Sequence, residues 1–235
     1  MHEAAAVSTA NIKTIVYLCL KRFIDIIAGI IGLLILIPIA LVIKIISMCN
    51  GDFHRIIFVQ KRIGKNGKEF DFYKFRSMVP NADEILFKLM EENEEIRKEY
   101  QENKKLKDDP RITKIGHFIR KTSIDELPQL INILKGDMTI IGPRALLVKY
   151  LPLYTKEQRK RHTVKPGLVG LAALNGRNNQ SWEEKFKADI YYAENVSFLL
   201  DLKIFLGAIK VTLSSKGVAM DGEATMPEFN GSIKR

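Results

Sequence analysis

One stretch of the chain abandons the usual mixture of apolar and polar positions. Ile26 to Ile43 (IIAGIIGLLILIPIALVI) runs for 18 residues without a charged or strongly polar side chain, which meets the length threshold for a membrane helix. At about 1.5 Å per residue the run is roughly 27 Å long, short of a hydrocarbon core of about 30 Å. Pro38 lies inside it, where it removes a backbone donor, clashes with the carbonyl of Leu34 and bends the helix. Lys21 and Arg22 precede the run and Lys44 and Arg55 follow it, so flanking cations assign no orientation. Together these features predict a re-entrant helix-break-helix hairpin in preference to a kinked single span. No small-residue cleavage site follows, so the segment is expected to be retained rather than removed as a signal peptide. Asp25, at the apolar boundary, is expected to pair with Arg22 at i, i+3.

The pattern after this run is that of a mixed α/β fold, a small domain on the membrane surface. Phe53 to Gln60 and Phe70 to Phe75 are short aromatic and β-branched stretches, and the glycines at 64 and 67 between them predict a β-hairpin. Asn81 to Lys107 carries eight acidic and six basic residues, with apolar positions at Ile85, Leu86, Leu89, Met90, Ile96 and Tyr100. That periodicity predicts a solvated amphipathic helix or helical hairpin whose narrow stripe is for packing, with a homodimer contact as the alternative. Arg111, Lys114, His117, Arg120 and Lys121 recur at helical spacing and can share a face. An apolar helix through Leu134 ends near Gly136, and Tyr191 to Phe205 suggests another that packs on the core or dips into lipid headgroups. The expected division is an N-terminal segment 1–20, a re-entrant membrane helix 21–50 and a domain 51–235 with a charged helical insertion at 81–109.

Charge and composition narrow the partners. Lys plus Arg number 37 against 27 Asp plus Glu, a net charge of +10, and the isoelectric point is about 9.5. This favours phosphate-rich partners, whether nucleic acid, nucleotide or anionic membrane. Short basic clusters, no recognised nucleic-acid motif and a membrane segment argue against nucleic acid. The mean hydropathy of −0.04 averages an apolar hairpin with a polar, basic domain. Cys19 and Cys49 are the only cysteines and read as inert thiols. His2, His54, His117 and His162 form no ligand pair and read as surface or interface residues. No P-loop, G-x-G-x-x-G or H-E-x-x-H occurs.

The adjacent carboxylates Asp125 and Glu126 are the strongest chemical feature. Ser123 and Glu126 have capping-box spacing, a purely structural reading. Alternatively, a helix N-terminus would keep Asp125 ionised and favour phosphate beside the preceding cations. An ionised carboxylate can attack phosphorus, and its neighbour can hold Mg²⁺ against diphosphate oxygens. Arg144, behind Gly142-Pro143, can grip phosphate bidentately or form a surface ion pair.

Lys21-Arg22-Phe23-Ile24-Asp25, Tyr73-Lys74-Phe75-Arg76-Ser77-Met78, the run Gly116 to Leu130 (GHFIRKTSIDELPQL), Asn132 to Met138 (NILKGDM) and Ile141-Gly142-Pro143-Arg144 occur in that order. They resemble the bacterial monotopic phosphoglycosyl transferases, or bacterial sugar transferases, from about Lys21 to the C-terminus. The resemblance implies transfer of a sugar-1-phosphate from a UDP-sugar to undecaprenyl phosphate by a catalytic domain on the cytoplasmic face of the bacterial inner membrane. It is the initiating step of glycoconjugate or exopolysaccharide assembly. It implies Asp125 as nucleophile, releasing UMP and carrying the phosphosugar, and Glu126 with Asp125 as the Mg²⁺ site. Arg120, Arg144 and Arg177 are implied as phosphate-binding residues and Pro38 as the break in the membrane helix.

Ala145, Ala173 and Ile37 stand where the family often has Pro, Gln and Ser. The 81–109 segment resembles members acting on hexoses such as galactose, whereas the tail from Trp182 through Gly231 resembles members using N-acetylated amino sugars. Without the extra membrane helices and appended domain of longer members, a minimal catalytic version is expected. The competing reading is a non-catalytic membrane-anchored adaptor with a basic lipid-binding face.

Overall fold

A computed structural model describes residues 2–103, 106–175, 180–213 and 228–231. The apolar run lies within a single helix, α1 (His2–Cys49), which continues through the boundary expected near residue 20 and through Pro38 without a second helix beginning. Among the described residues it is the one helix long and apolar enough to cross a membrane, and only 17% of its most apolar window is buried. Among the described residues nothing covers the remaining apolar surface, which is suited to lipid.

The buried part is one stripe. Asp25, Gly29, Leu36, Ile43 and Ser47 are buried, with Gly32 half-buried between them, at the threes and fours of a helix face. From Asp25 to Ser47 the stripe extends about 33 Å, so the rest of the protein lies alongside the apolar segment and not at its end. Pro38 and Leu34 lie on the exposed face. The hydrogen bond that proline cannot donate is therefore lost on the side turned away from the domain.

The expected hairpin forms. Strands β1 (Ile57–Ile63) and β2 (Glu69–Phe75) pair antiparallel from Ile57↔Phe75 to Ile63↔Glu69. Asn66 (φ 58°) and Gly67 (φ 76°) turn the chain in the left-handed region. Phe70 and Phe72 pack with Ile133 and Met138, while Phe75 packs with Ile119 and with Leu36 and Ile43 of α1. The charged segment folds as two helices, α2 (Ala82–Glu92) and α3 (Glu94–Asn103). Asn93 separates them, its Oδ1 accepting from the backbone N–H groups of Glu95 and Ile96.

Helix α4 (Lys114–Lys121) precedes α5 (Gln129–Lys135), which Gly136 ends at φ 87°. Strands β3 (Thr139–Ile141) and β4 (Gly167–Val169) pair in parallel, and the short α6 (Lys156–Arg159) lies in their crossover. Helices α7 (Trp182–Glu194) and α8 (Phe198–Leu213) follow. α8 buries Ile204 and exposes Phe198, Leu199, Leu202, Phe205, Leu206 and Ile209. The expectation of packing on the core holds for the face that carries Ile204.

The polar turn just before the apolar run clamps α1 to the domain. The expected Arg22–Asp25 pair does not form. Arg22 instead donates to the carbonyls of Ile133 (2.5 Å) and Leu134 (2.8 Å) in the last turn of α5, where carbonyls lack intrahelical partners; that of Ile133 also accepts from the Gly136 N–H. Asp25 Oδ1 accepts from the Ile140 N–H at 2.9 Å. Backbone groups buried against α1 have no water to bind, so they outcompete the local ion pair. Lys21 donates to the Ile141 carbonyl (2.7 Å) and the Tyr192 hydroxyl (2.8 Å) and pairs with Asp201 of α8.

His162 corrects the expectation that every histidine lies at a surface or interface. It is buried with its ring centroid 5.4 Å from that of Tyr154. Burial, reinforced by the Arg161 and Arg159 cations, pushes its pKa down to about 3.

Candidate active site

Asp125 and Glu126 do not begin a long helix. α4 ends at Lys121, and Ser123 sits just beyond it in the left-handed region (φ 56°), its N–H donating to the Arg120 carbonyl at 3.1 Å. This is the C′ position that glycine usually occupies. The Ser123 side chain makes no cap, so the capping box does not form. The chain then makes one 3-10 turn, Ile124–Glu126, which presents the two half-buried carboxylates side by side.

β2 supplies a group that the sequence reading missed. Lys74 Nζ lies 3.4 Å from Asp125 Oδ2 and 2.9 Å from Glu126 Oε1. Its signal was positional, since Lys74 shares a strand face with the core residue Phe72 two places earlier. Arg144 Nη2 reaches Glu126 Oε1 at 3.3 Å from a largely exposed side chain. Arg120 turns its Nε onto Ser77 Oγ at 2.7 Å and acts on Asp125 as a nearby cation. Arg177 lies outside the described residues.

Several contacts fix the Arg144 loop. Gly142 and Gly167 approach so closely that a Cβ on Gly167 would fall 2.1 Å from Gly142 N, a contact only glycine allows. Arg161, buried in an ion pair with Asp189 at 2.6 Å, donates to the Arg144 carbonyl at 2.7 Å. Arg161 and Asp189 are 28 positions apart, so no local pattern linked them.

The two carboxylates are pushed apart electrostatically. Burial, with Glu126 beside it, raises the Asp125 pKa above the ordinary value, and Lys74 and Arg120 offset this only in part. Burial also opposes ionisation of Glu126, but Arg144 and Lys74 outweigh it and hold Glu126 below the usual range. The expectation that a helix N-terminus stabilises ionised Asp125 is thus replaced by a buried, more basic carboxylate beside a firmly ionised one, the separation that assigns distinct roles. The protein contacts fall on Asp125 Oδ2 and Glu126 Oε1. Asp125 Oδ1 and Glu126 Oε2 have no hydrogen-bond partner among the described residues. Two such hard oxygens fit Mg²⁺, which commonly takes one or two carboxylates and completes its shell with substrate phosphate and water.

Lys74 is expected to govern the acidic limb of any activity that needs ionised Asp125. Lys74→Gln removes a cation that lowers the Asp125 pKa, so the pH below which activity falls should move upward. A pH–rate profile checks this, and an unmoved acidic limb would show that Lys74 does not tune Asp125.

A family model described as bacterial sugar transferase matches residues 16–215. An uncharacterized sugar transferase, EpsL, of Bacillus subtilis is 46% identical over 177 residues, 75% of this chain and 79% of that protein. The galactosyl transferase CpsE of Streptococcus agalactiae is 44% identical over 218 residues, 92% of this chain but 47% of its own length. The undecaprenyl-phosphate galactose phosphotransferase of Salmonella typhimurium is 40% identical over 198 residues, 84% of this chain and 41% of that protein. The chain therefore spans less than half of the two relatives whose names state an activity.

Proposed function

Since the chain belongs to the bacterial sugar transferase family, we propose that it moves a sugar-1-phosphate from a UDP-sugar to undecaprenyl phosphate through a covalent intermediate on Asp125. The observation that carries this reading is the dyad itself. Asp125 is made more basic and keeps Oδ1 uncommitted, while Lys74 and Arg144 hold Glu126 ionised beside it.

In the first step Asp125 Oδ1 attacks the β-phosphorus of the donor. The bond to the bridging oxygen breaks, and UMP leaves with that electron pair. In the second, a phosphate oxygen of the polyprenol attacks the same phosphorus, breaking the acyl-phosphate bond and restoring the Asp125 carboxylate. Lys74 and Arg144 hold positive charge beside the phosphoryl oxygens as charge shifts to the leaving group. Glu126, with Asp125, would hold Mg²⁺, which when bound neutralises diphosphate oxygens. Two relatives named for galactose support UDP-galactose as donor over an N-acetylated amino sugar.

The α1 stripe supports a membrane segment whose two ends stay on one face, with α1 lying along the domain as one helix in place of the expected helix-break-helix hairpin. A perpendicular crossing would carry α4, α5 and Phe75 into the hydrocarbon with it, whereas a segment entering and leaving on one face leaves them at the interface. The catalytic domain then faces the cytoplasm, where UDP-sugars are made.

The test incubates the membrane-embedded protein with Mg²⁺, undecaprenyl phosphate and a panel of UDP-sugars and measures UMP. Release is expected with UDP-galactose, and no UMP from any donor would favour the membrane-anchored adaptor. For topology, Cys19 and Cys49 are replaced by serine and single cysteines are placed at Asn11 or Asn50. Both should react with an impermeant maleimide from the same side, and labelling from opposite sides would sink the re-entrant reading.

A further inference from the structure

Arg62 has a role that the dyad chemistry does not use. Its cross-strand partner is Phe70, as Gln60 partners Phe72 and Phe58 partners Lys74, so Arg62 and Lys74 project from one face of the hairpin. The Phe72 ring lies between them, its centre 5.2 Å from the Arg62 guanidinium and 5.8 Å from Lys74 Nζ. The Arg62 fork is only partly satisfied. One N–H donates to the Ala145 carbonyl at 3.3 Å and one to Gln60 Oε1 at 2.7 Å, two of the five donors a guanidinium carries. Nε is buried without an acceptor. Among the described residues no carboxylate forms an ion pair with Arg62, and the charge that most affects it is another cation, Arg144.

A desolvated guanidinium beside a second one is unfavourable unless an anion occupies the space they share. Burial and then Arg144 push the Arg62 pKa down to about 10, in keeping with such crowding. Arg144 already reaches Glu126, so the shared space borders the dyad.

We propose that Arg62 and Arg144 form a two-arginine seat for the diphosphate of the nucleotide donor, with Arg62 the fixed inner jaw and Arg144 the exposed outer one. The seat rests on the transferase reading above and specifies where that donor's phosphates lie. The Arg62 bond to the Ala145 carbonyl ties the two jaws together, because Ala145 follows Arg144 directly. The hydrophobic floor under both inner cations is Phe72, whose face attracts each of them and holds the charges apart.

Titration calorimetry of the full chain with UDP, Mg²⁺ present, tests the seat. The Arg62→Gln variant is expected to bind UDP at least about tenfold more weakly, the loss of one charge-assisted hydrogen bond. Arg62→Lys, which keeps the charge without the fork, should fall between variant and wild type. In the unaltered protein, UDP is expected to protect Arg62 and Arg144 from phenylglyoxal, read by peptide mass spectrometry, and to leave the exposed Arg55 reactive. This arm stands even if the glutamine variant does not fold. UDP bound by the wild-type protein with Arg62 modified at an unchanged rate would overturn the seat alone. A wild-type protein that binds no UDP would overturn the transferase reading with it.

Discussion

Asp125→Asn is expected to abolish both UMP release and the phosphosugar–protein adduct, with turnover falling by at least about three orders of magnitude, as when other covalent enzymes lose their nucleophile. The substitution is nearly isosteric, and Asp125 is held by one long contact from Lys74 at 3.4 Å. Folding should therefore change little, which a thermal melt verifies. The adduct is sought by intact-protein mass spectrometry after incubation with the donor alone, since the second step needs the lipid acceptor. Near-normal turnover in the variant would show that the covalent step does not occur on this carboxylate. Glu126→Gln is a cleaner comparison than the spacing suggests, because no Ser123 cap exists to be lost. Its effect should reach activity without a helix-capping penalty.

Arg161→Met is expected to give the largest loss of stability. Arg161 and Asp189 are both buried, and two guanidinium nitrogens approach Asp189 Oδ2 at 2.6 and 3.0 Å. Removing the cation strands the carboxylate, which typically costs about 3–5 kcal/mol. In a chain of this size that lowers Tm by about 6–20 °C. The paired variant Arg161→Met with Asp189→Leu should recover much of the loss, since an apolar pair of similar volume is often as stable as the ions. Activity should not return with it, because the hold on the Arg144 carbonyl goes with Arg161 in both variants. A double variant that regained full turnover would show that Arg161 serves stability alone.

The parts legible in the sequence were those with a local physical cause. The glycines at 64 and 67 marked the hairpin because turns favour glycine, and of the two only Gly67 takes positive φ, with Asn66 beside it. The apolar run declared α1 because a helix apolar on every face must be buried, in a large protein core or in a membrane. The Asp125–Glu126 dyad stood out because two adjacent carboxylates follow a run of cations, a pattern that suits phosphate chemistry.

What escaped depended on contacts distant in the chain. Lys74 meets the dyad 51 and 52 positions away. Arg22 and Asp25 looked like an i, i+3 pair until buried backbone groups more than a hundred positions on claimed them. The S-x-x-E spacing at Ser123 failed for a related reason. A capping box requires a helix to start there, and here one has just ended. His162 carried no pattern of burial in its own neighbourhood of lysine and arginine.

The groove into which Gly29 and Gly32 fit has a practical consequence. A Cβ on either would come within 2.7 and 2.6 Å of Leu134 and Leu130 respectively, so α1 and α5 are matched surfaces and the N-terminal helix is a wall of the enzyme. Trimming residues 1–50 to obtain a water-soluble fragment would leave Phe75 and Ile119 facing solvent and the Leu134 carbonyl without the Arg22 donor. Solubilisation must therefore replace the lipid around α1 with detergent or a nanodisc and keep the helix.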